Sequence, residues 1–160
     1  MAVDMFFKIG DIKGESQDSK HKDEIDVLSW SWAVNQTGSS GYGGGGGTGK
    51  VQVTDLTFTK RLDNSSPNLF ESCCNGKHYP EAKLTVRKAG EHPLENLIVT
   101  LTDVLVSGYS PGASHGNEEP TENVTLNFAR ATLKYVVQSK SGAGEGANEK
   151  GWDFKQNKKV

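Results

Sequence analysis

The sequence predicts a mainly β protein, an antiparallel β-barrel of two tightly packed sheets with one short α-helix and an extended glycine-rich loop. Apolar and polar residues alternate in several segments, which is the period of a half-buried strand. Helical spacing occurs in one place, and the strand–helix–strand rhythm of a parallel sheet is missing. The length of 160 residues is typical of one domain, so we expect residues 1–160 to form a single domain.

The segment 23–36 carries the strongest strand pattern. Its apolar residues recur at every second position, so they fall on one face of a strand. These inward-facing residues are Leu28, Trp30, Trp32 and Val34. A tryptophan can bury about 150–250 Å², so we expect this face to lie in the core. Ser29 and Ser31 alternate with the tryptophans, and the opposite face is therefore predicted to be small, polar and exposed.

Alternating apolar residues predict six further strands. They lie at residues 3–9, 51–62, 82–86, 96–107, 123–137 and 151–154. The apolar residues change parity near Thr54–Asp55 and near Phe128–Ala129, which predicts a bulge or bend at each place. The intervening segments are polar or rich in glycine, and we expect loops at 10–22, 108–120 and 139–150.

A single helix of about ten residues is predicted from its start and stop signals. Asn64–Pro67 supplies a hydroxyl cap followed by a proline that suits the first helical position. Leu69, Phe70 and a cysteine then recur at helical spacing. Asn75–Gly76 ends the run, because glycine readily adopts the left-handed conformation of a helix C-terminus.

No motif for catalysis or for a cofactor is complete. Gly44–Lys50 matches the first seven positions of a nucleotide-binding P-loop, but Val51 stands where a magnesium-binding hydroxyl is required. A strand pattern follows, where a P-loop needs a helix N-terminus. The histidines lack the spacing of a metal site; they are His21, His78, His92 and His115. We therefore expect no cofactor, no metal ion and no enzymatic activity.

Charge and cysteine content argue against several classes of protein. A net charge of −2 disfavours binding to nucleic acid, and no apolar run is long enough to insert in a membrane. The N-terminus lacks the pattern of a signal peptide. Cys73 and Cys74 are adjacent, which disfavours a disulfide between them, so we expect reduced thiols in a cytosolic fold.

Two segments near the ends of the chain carry opposite charges. Residues 11–26 contain six acidic residues against three lysines, and residues 150–160 contain four lysines against one aspartate. Complementary potentials of this kind can fix the orientation in which copies stack head to tail. Both segments are equally consistent with ordinary solvated surface.

The segment Gly38–Gly49 joins two predicted strands and contains eight glycines in twelve residues. Ordering glycine costs more backbone entropy than ordering any other residue. The segment is either a disordered surface loop or an arm that orders when it docks on a neighbouring copy, and residue chemistry leaves both open. The candidate docking residues are Gly38, Gly41, Tyr42, Gly43, Gly44, Gly45, Gly46, Gly47, Thr48 and Gly49.

Short motifs spread over almost the whole chain resemble one family, the Hcp tube proteins of bacterial type VI secretion systems. The motifs are Asp4–Ile9, Gly14–Ser16, His21, Ile25, Ser29–Trp32, Leu56–Lys60, Ser66–Leu69, Gly76–Tyr79, Ala82–Thr85, Thr121–Phe128 and Gly151–Trp152. The resemblance implies a barrel of antiparallel strands with one helix. It also implies a ring of six subunits, and rings that stack into a hollow tube.

The same resemblance implies partners and a destination. A contractile sheath and tip (spike) proteins act together with such a tube, and small effector proteins ride in its lumen. The subunit leaves the bacterial cytoplasm for the extracellular medium or a target cell without a signal peptide. Two alternatives stay open. One is a secreted binding or effector module that acts on target cells, and the other is a phage tail-tube protein, which shares the fold.

Carried onto this sequence, the resemblance assigns roles to particular residues. Residues 38–50 correspond to the arm that reaches a neighbouring ring, and residues 151–160 to a C-terminal strand and basic tail. Gly90 and Asn157 resemble parts of opposite ring faces. The small polar face of the tryptophan strand, Ser29 and Ser31, is our candidate for the wall of the lumen.

Overall fold

The computed structural model describes residues 2–38, 49–116, 119–141 and 144–160. Within these ranges the chain forms eleven strands and one helix. They are β1 Val3–Ile9, β2 Ile25–Asp26, β3 Ser29–Ser31, β4 Val34–Asn35, β5 Gln52–Val53, β6 Leu56–Arg61, α1 Ser66–Asn75, β7 His78–Lys88, β8 Leu94–Gly112, β9 Thr121–Gln138, β10 Gly144–Asp153 and β11 Lys158–Lys159.

Nine of the strands form one antiparallel sheet, whose main order is β11-β10-β9-β8-β7-β1-β2. β9 has two partners on its second edge, because its first half pairs with β6 and its second half pairs with β10. β3 extends the sheet beyond β6. β4 and β5 form a separate two-stranded ladder. The mainly β class with one short helix is therefore confirmed.

The ladders do not close into a barrel, because the sheet ends at β2 on one side and at β3 and β11 on the other, and β2 pairs with neither of them. Residues 27 and 28 cross the gap between β2 and β3. The backbone N–H of Val27 donates to the carbonyl of Met5 in β1 at 2.9 Å. The backbone N–H of Leu28 donates to the carbonyl of Thr59 in β6 at 2.8 Å. The curled sheet thus encloses a core, and a short stretch of chain spans its seam.

The core lies inside the curl and is dominated by aromatic and branched aliphatic side chains. Phe7 of β1 and Phe58 of β6 are both fully buried, and their rings stack at 4.6 Å between centroids. Leu69 of α1 is also fully buried, so the helix closes part of the core. Leu84, Leu101 and Leu126 come from three further strands. This burial supplies the main driving force for folding.

The predicted strand at 23–36 is interrupted and forms β2, β3 and β4. Its two tryptophans are half-buried against the core, as their face predicts. Leu28 and Val34 share that parity, but they are 38% and 50% exposed, so the prediction is wrong for them. The reason is that the chain changes partners, from β1 to β6 around Leu28 and then to β5 at Val34.

β8 and β9 bend together where the sequence predicts a change of parity. The buried residues of β9 shift from even to odd numbers between Phe128 and Ala131. The register with β8 runs through this point without an inserted residue. Asp103 of β8 lies opposite Ala129 and has a φ of 57°, a left-handed conformation that turns the chain. The change of parity is confirmed, and its cause is a bend at Asp103 rather than a bulge in β9.

Two loops are shorter than predicted. β8 continues to Gly112, so only residues beyond it remain of the loop expected at 108–120. β10 begins at Gly144, within the loop expected at 139–150. Residues 144–150 are exposed and carry no apolar alternation, so their extended conformation comes from pairing with β9. The predicted break at Thr54–Asp55 is confirmed, because it separates β5 from β6.

The helix agrees closely with its prediction. It spans ten residues, with the proline in its first turn. Gly76 ends it with a φ of 66° and donates its N–H to the carbonyl of Ser72. The predicted hydroxyl cap is wrong, since the side chain of Ser65 bonds to Asp63 and makes no capping bond. Leu69 faces the core, whereas Phe70 is 55% exposed.

A buried ionic cluster fastens the start of α1 to the sheet. The Lys60 ammonium of β6 and the Glu122 carboxylate of β9 form an ion pair, and both side chains are fully buried. Asp63 also contacts the Lys60 Nζ, at 3.0 Å, and the Ser66 hydroxyl donates to Glu122 at 2.7 Å. Desolvation, reinforced by a hydrogen bond to Glu122, raises the pKa of Tyr109 to about 12, so its phenol remains a donor at neutral pH.

Candidate assembly surfaces

A flat polar face covers the outer side of four neighbouring strands, and we call it the hydroxyl face. Residues that pair directly across a sheet share one face. The registers of β3, β6, β9 and β8 therefore place two rows of small residues side by side. The first row is Ser29, Thr59, Asn123 and Ser110, and the second is Ser31, Thr57, Thr125 and Gly108. The serines predicted from sequence thus belong to a surface four strands wide.

Hydrogen bonds hold the hydroxyl face together. The Thr59 hydroxyl donates to the Asn123 side-chain oxygen at 2.6 Å, and the hydroxyls of Thr57 and Thr125 lie 3.3 Å apart. A side chain at Gly108 would press on Thr125, since its Cβ would lie 3.1 Å from the threonine Cβ. Glycine at this position therefore keeps the face flat.

Asp55 adds a carboxylate to one end of this face, and neighbouring side chains hold it in place. The Ser107 hydroxyl donates to one oxygen at 2.7 Å, and the Asn127 amide donates to the other at 2.9 Å. The other side of the same strands is apolar, because Phe58 and Val124 alternate with the polar rows and are fully buried. The core therefore fixes the face from behind, which keeps it rigid.

The predicted arm begins and ends at the β4–β5 ladder. Val34 pairs with Val53, and Asn35 pairs with Gln52. Gly49 lies against the hydroxyl of Thr37, so the two ends of the segment are adjacent. The remaining predicted docking residues lie outside the described residues; they are Gly41, Tyr42, Gly43, Gly44, Gly45, Gly46, Gly47 and Thr48.

Gly90 and Asn157 lie in turns that are well separated along the strands. Gly90 follows β7, next to the backbone bond from Ala89 to Ala2, and it is exposed. Asn157 lies in the turn between β10 and β11 and has a φ of 54°. The registers place the β7–β8 turn beside the last residues of β9, whereas the β10–β11 turn lies beside the middle of that strand.

Asp153 fastens the turn that carries Asn157. One carboxylate oxygen accepts the backbone N–H of Gln156 at 2.7 Å, and the other accepts the Arg130 Nε–H at 2.7 Å. The hydrogen bond from Gln156 is the main reason that the pKa of Asp153 lies below its ordinary value, and the Arg130 guanidinium adds to the effect. The turn is therefore held most strongly when Asp153 is ionised.

Replacement of Asp153 by asparagine is expected to remove a pH-dependent part of the stability. Because the folded-state pKa is depressed, the carboxylate stabilises the fold above the unfolded pKa of about 3.9, and this stabilisation is lost as the pH falls through the folded pKa. Urea unfolding should show the variant to be less stable than the parent at pH 7, with a smaller deficit at pH 2. An equal deficit at both pH values would contradict the assignment. The exposed Asp11→Asn provides the matched control.

An apolar groove of about 450 Å³ lies on the β10 side of the molecule. Its apolar lining comes from the tryptophan segment, β9, β10 and the first residues after the arm: Trp32, Val34, Val51, Leu133, Trp152 and Phe154. Phe128 packs edge-on against Trp32 and Phe154, at centroid distances of 5.7 and 6.1 Å, and so connects two of the lining rings to the core. Lys150 is the charged residue of the lining.

The groove continues into a row of exposed apolar residues on β9. Leu133, Tyr135 and Val137 are 43%, 44% and 47% exposed and share one face of the strand. Leu133 pairs with Val99, which is fully buried, so the row continues the face that forms the core. The face of the sheet that forms the core thus continues along β9 beyond the part that other side chains cover. Contiguous exposed apolar surface of this kind marks an interaction site.

Sequence reasoning finds some of these residues and misses others. Ser29 and Ser31 follow from alternation, whereas their neighbours Thr59 and Asn123 depend on a register that alternation does not reveal. Trp152 is predicted as part of a strand, but not as the wall of a groove. Alternation also assigns each apolar residue of β9 to a face, but it does not show that Leu133, Tyr135 and Val137 are exposed there.

Comparison with known proteins decides the family. Residues 6–135 match the family model described as the type VI secretion system effector Hcp. The chain belongs to the Hcp family. It is 58% identical over 159 residues to Protein hcp1 of Pseudomonas aeruginosa strain PAO1, with 98% of each chain covered. The sequence-based resemblance to the Hcp family is therefore confirmed.

Solved structures agree with the Hcp assignment. Hcp1 from Salmonella typhimurium shares 46% identity and a TM-score of 0.84, with each chain covered completely. A structure described as a type six secretion system protein shares 30% identity and a TM-score of 0.93, over 99% of this chain and 100% of the other. This Hcp family member is thus a protein of type VI secretion, and the family is one of secreted tube proteins. Among the described residues, no helix combines the length and apolarity needed to cross a membrane.

Proposed function

We propose that this Hcp family member assembles into hexameric rings that stack into a hollow tube, and that small effector proteins travel in the lumen. Expulsion of the tube by a contractile sheath, behind tip (spike) proteins, carries the subunits out of the bacterial cytoplasm. The role is structural and needs no catalysis, cofactor, nucleic acid or membrane insertion. The hydroxyl face is the observation that carries this proposal.

The chemistry of the hydroxyl face suits the wall of a transport channel. Its side chains are short, mostly uncharged and already hydrogen-bonded to one another, as for Thr59 with Asn123 and for Asp55 with Ser107. Such a surface offers weak polar contacts and few anchors for tight binding, since strong binding relies on large aromatic or arginine side chains. Effectors can therefore be held and released. Ser29 and Ser31 lie on it at the edge strand, β3.

Ring formation needs a second kind of surface. A closed ring requires that one surface of each subunit meet a different surface of the next. The groove and the exposed row of β9 offer apolar area for such a contact on the β10 side. Burial of this area in a neighbouring copy stabilises the ring by roughly 25 cal/mol for each Å² removed from water.

Two lysines in the lumen wall should change transport without changing the ring. Because Ser29 and Ser31 are exposed, the double substitution Ser29→Lys and Ser31→Lys leaves the core intact and adds positive charge to the lumen. We expect normal rings by electron microscopy, with at least tenfold less effector retained when rings are purified from the bacterium. Gln17→Lys with Ser19→Lys, in an exposed loop, provides the control. Unchanged retention of every effector would remove the hydroxyl face from the lumen.

The arm is proposed to join one ring to the next, with the turns of Gly90 and Asn157 on the two ring faces. Substitution of Gly43–Gly47 by a charged segment of equal length is expected to leave rings intact and to prevent their stacking. The reason is that the substituted segment can no longer follow the surface of the next ring. Electron microscopy of the variant at high concentration distinguishes the outcomes. Tubes of normal length would contradict this role.

A further inference from the structure

We propose that Phe70 of helix α1 docks in the apolar groove of the next copy in the ring, with Glu71 beside Lys150 of that groove. This inference rests on the ring assembly proposed above, and it names the two surfaces that meet. It follows from the exposure of Phe70, the chemistry of the groove, their charges and their positions on the sheet.

Phe70 has a large apolar side chain that is exposed to solvent. It is 55% exposed on a helix whose next residue, Glu71, is also exposed. Its ring contacts Tyr109 of β8 at 6.0 Å between centroids, which orients it without burying it. Aromatic side chains presented in this way are typical anchors of protein interfaces.

The groove has the complementary shape and chemistry. Trp32, Trp152 and Phe154 provide aromatic walls for an aromatic guest. The indole N–H of Trp152 is buried and has no acceptor among the described residues. A guest that brings an acceptor would therefore satisfy a donor that is now left without one.

Each of the two surfaces carries one charged residue, and the two charges are opposite in sign. Glu71 is the one charged residue of α1, whose sequence is SPNLFESCCN. Lys150 is the one charged residue among the described residues that line the groove. Docking of Phe70 brings its neighbour Glu71 to the rim, where the carboxylate can pair with Lys150 or accept the Trp152 N–H. Complementary charge at a rim fixes the register of two partners.

The groove that receives Phe70 must belong to another copy. Phe70 lies beside β8 at Tyr109, which pairs with Val124 of β9. The groove lies across the opposite edge of β9, at Leu133 beside β10. Nine steps along β9 lead from Val124 to Leu133, which is at most about 30 Å at roughly 3.3 Å per residue. Two surfaces that lie apart along β9 in one subunit can generate the head-to-tail contact that a ring needs.

The first test is Phe70→Ala, measured by analytical ultracentrifugation over a concentration series. Since Phe70 is exposed, the thermal midpoint of the monomer should stay unchanged, while the concentration at which rings half-dissociate rises at least tenfold. Val3→Ala, which also shortens an exposed apolar residue but lies on β1, is the matched control and should behave as the parent. An unchanged half-dissociation concentration for Phe70→Ala would overturn the docking proposal.

Charge reversal gives a second and independent measurement. Glu71→Lys and Lys150→Glu should each raise the half-dissociation concentration, and the two together should restore it to within a fewfold of the parent. Absence of restoration in the double variant would overturn the pairing. If the parent forms rings and Phe70→Ala forms equally stable rings, the docking proposal is refuted and the proposed ring assembly is not. A monomeric parent would refute both the proposed ring and this inference.

Discussion

Replacement of Lys60 by methionine is expected to lower the free energy of unfolding by about 3–5 kcal/mol, the cost of leaving a buried charge without its partner. Lys60 and Glu122 are both fully buried, and the remaining carboxylate would keep only the hydroxyls of Ser66 and Tyr109. Urea unfolding followed by tryptophan fluorescence measures the change. Lys8→Met, at an exposed position of β1, is the matched control and should change stability by less than about 0.5 kcal/mol.

A double variant distinguishes the loss of the ion pair from the loss of side-chain packing. Lys60→Met combined with Glu122→Met removes both charges, and apolar replacement of a buried ion pair is often neutral or stabilising. We expect the double variant to recover most of the stability lost in the single one. A double variant as weak as the single would show that the ion pair is not the reason for the loss. The cluster also fixes the start of the helix that carries Phe70, the residue proposed above to dock on the next copy.

Two glutamates on the exposed row of β9 are expected to abolish ring formation. Leu133→Glu with Tyr135→Glu would place two carboxylates in the apolar contact, and burial of each unpaired charge costs several kcal/mol. At about 1.4 kcal/mol for each factor of ten, rings should be undetectable at micromolar concentration. Light scattering measures the mass in solution, and circular dichroism should show the β fold retained because both residues are already exposed.

The opposite face of the same strand supplies the control for this variant. Lys134→Glu changes the charge at the neighbouring position of β9 but points away from the row. We expect it to form rings as the parent does. Rings that persist in the Leu133 and Tyr135 variant would place the subunit contact elsewhere, and rings lost in both variants would indicate a general effect of charge.

The fold was predictable where local pattern determines structure. The alternation of apolar and polar residues located β1, β7 and most of β8 and β9. The proline at the start of α1 and the glycine after its end located the helix. Sequence pattern failed for residues 144–150, because their glycines and charged residues do not alternate with apolar residues. This segment becomes extended because β9 supplies its hydrogen bonds. Sequence pattern also failed for Leu28 and Val34, since alternation shows which residues share a face but not whether the face is covered.

The surfaces were predictable only in part, for a related physical reason. The serines of β3 stand out in sequence because they alternate with tryptophans. Their extension into the hydroxyl face depends on the pairing of Thr59 with Asn123 and of Ser31 with Thr57, which local sequence does not specify. The groove joins Trp32 to Trp152, residues that are far apart in the chain, so no local pattern could reveal it.

The mass of the unmodified protein in solution tests the central claim most directly. Native mass spectrometry at micromolar concentration should show one dominant species with six times the mass of the 17.3 kDa chain. Negative-stain images of the same sample should show rings with a central hole. A single-chain particle of 17.3 kDa that stays stable over the whole concentration range would contradict the account.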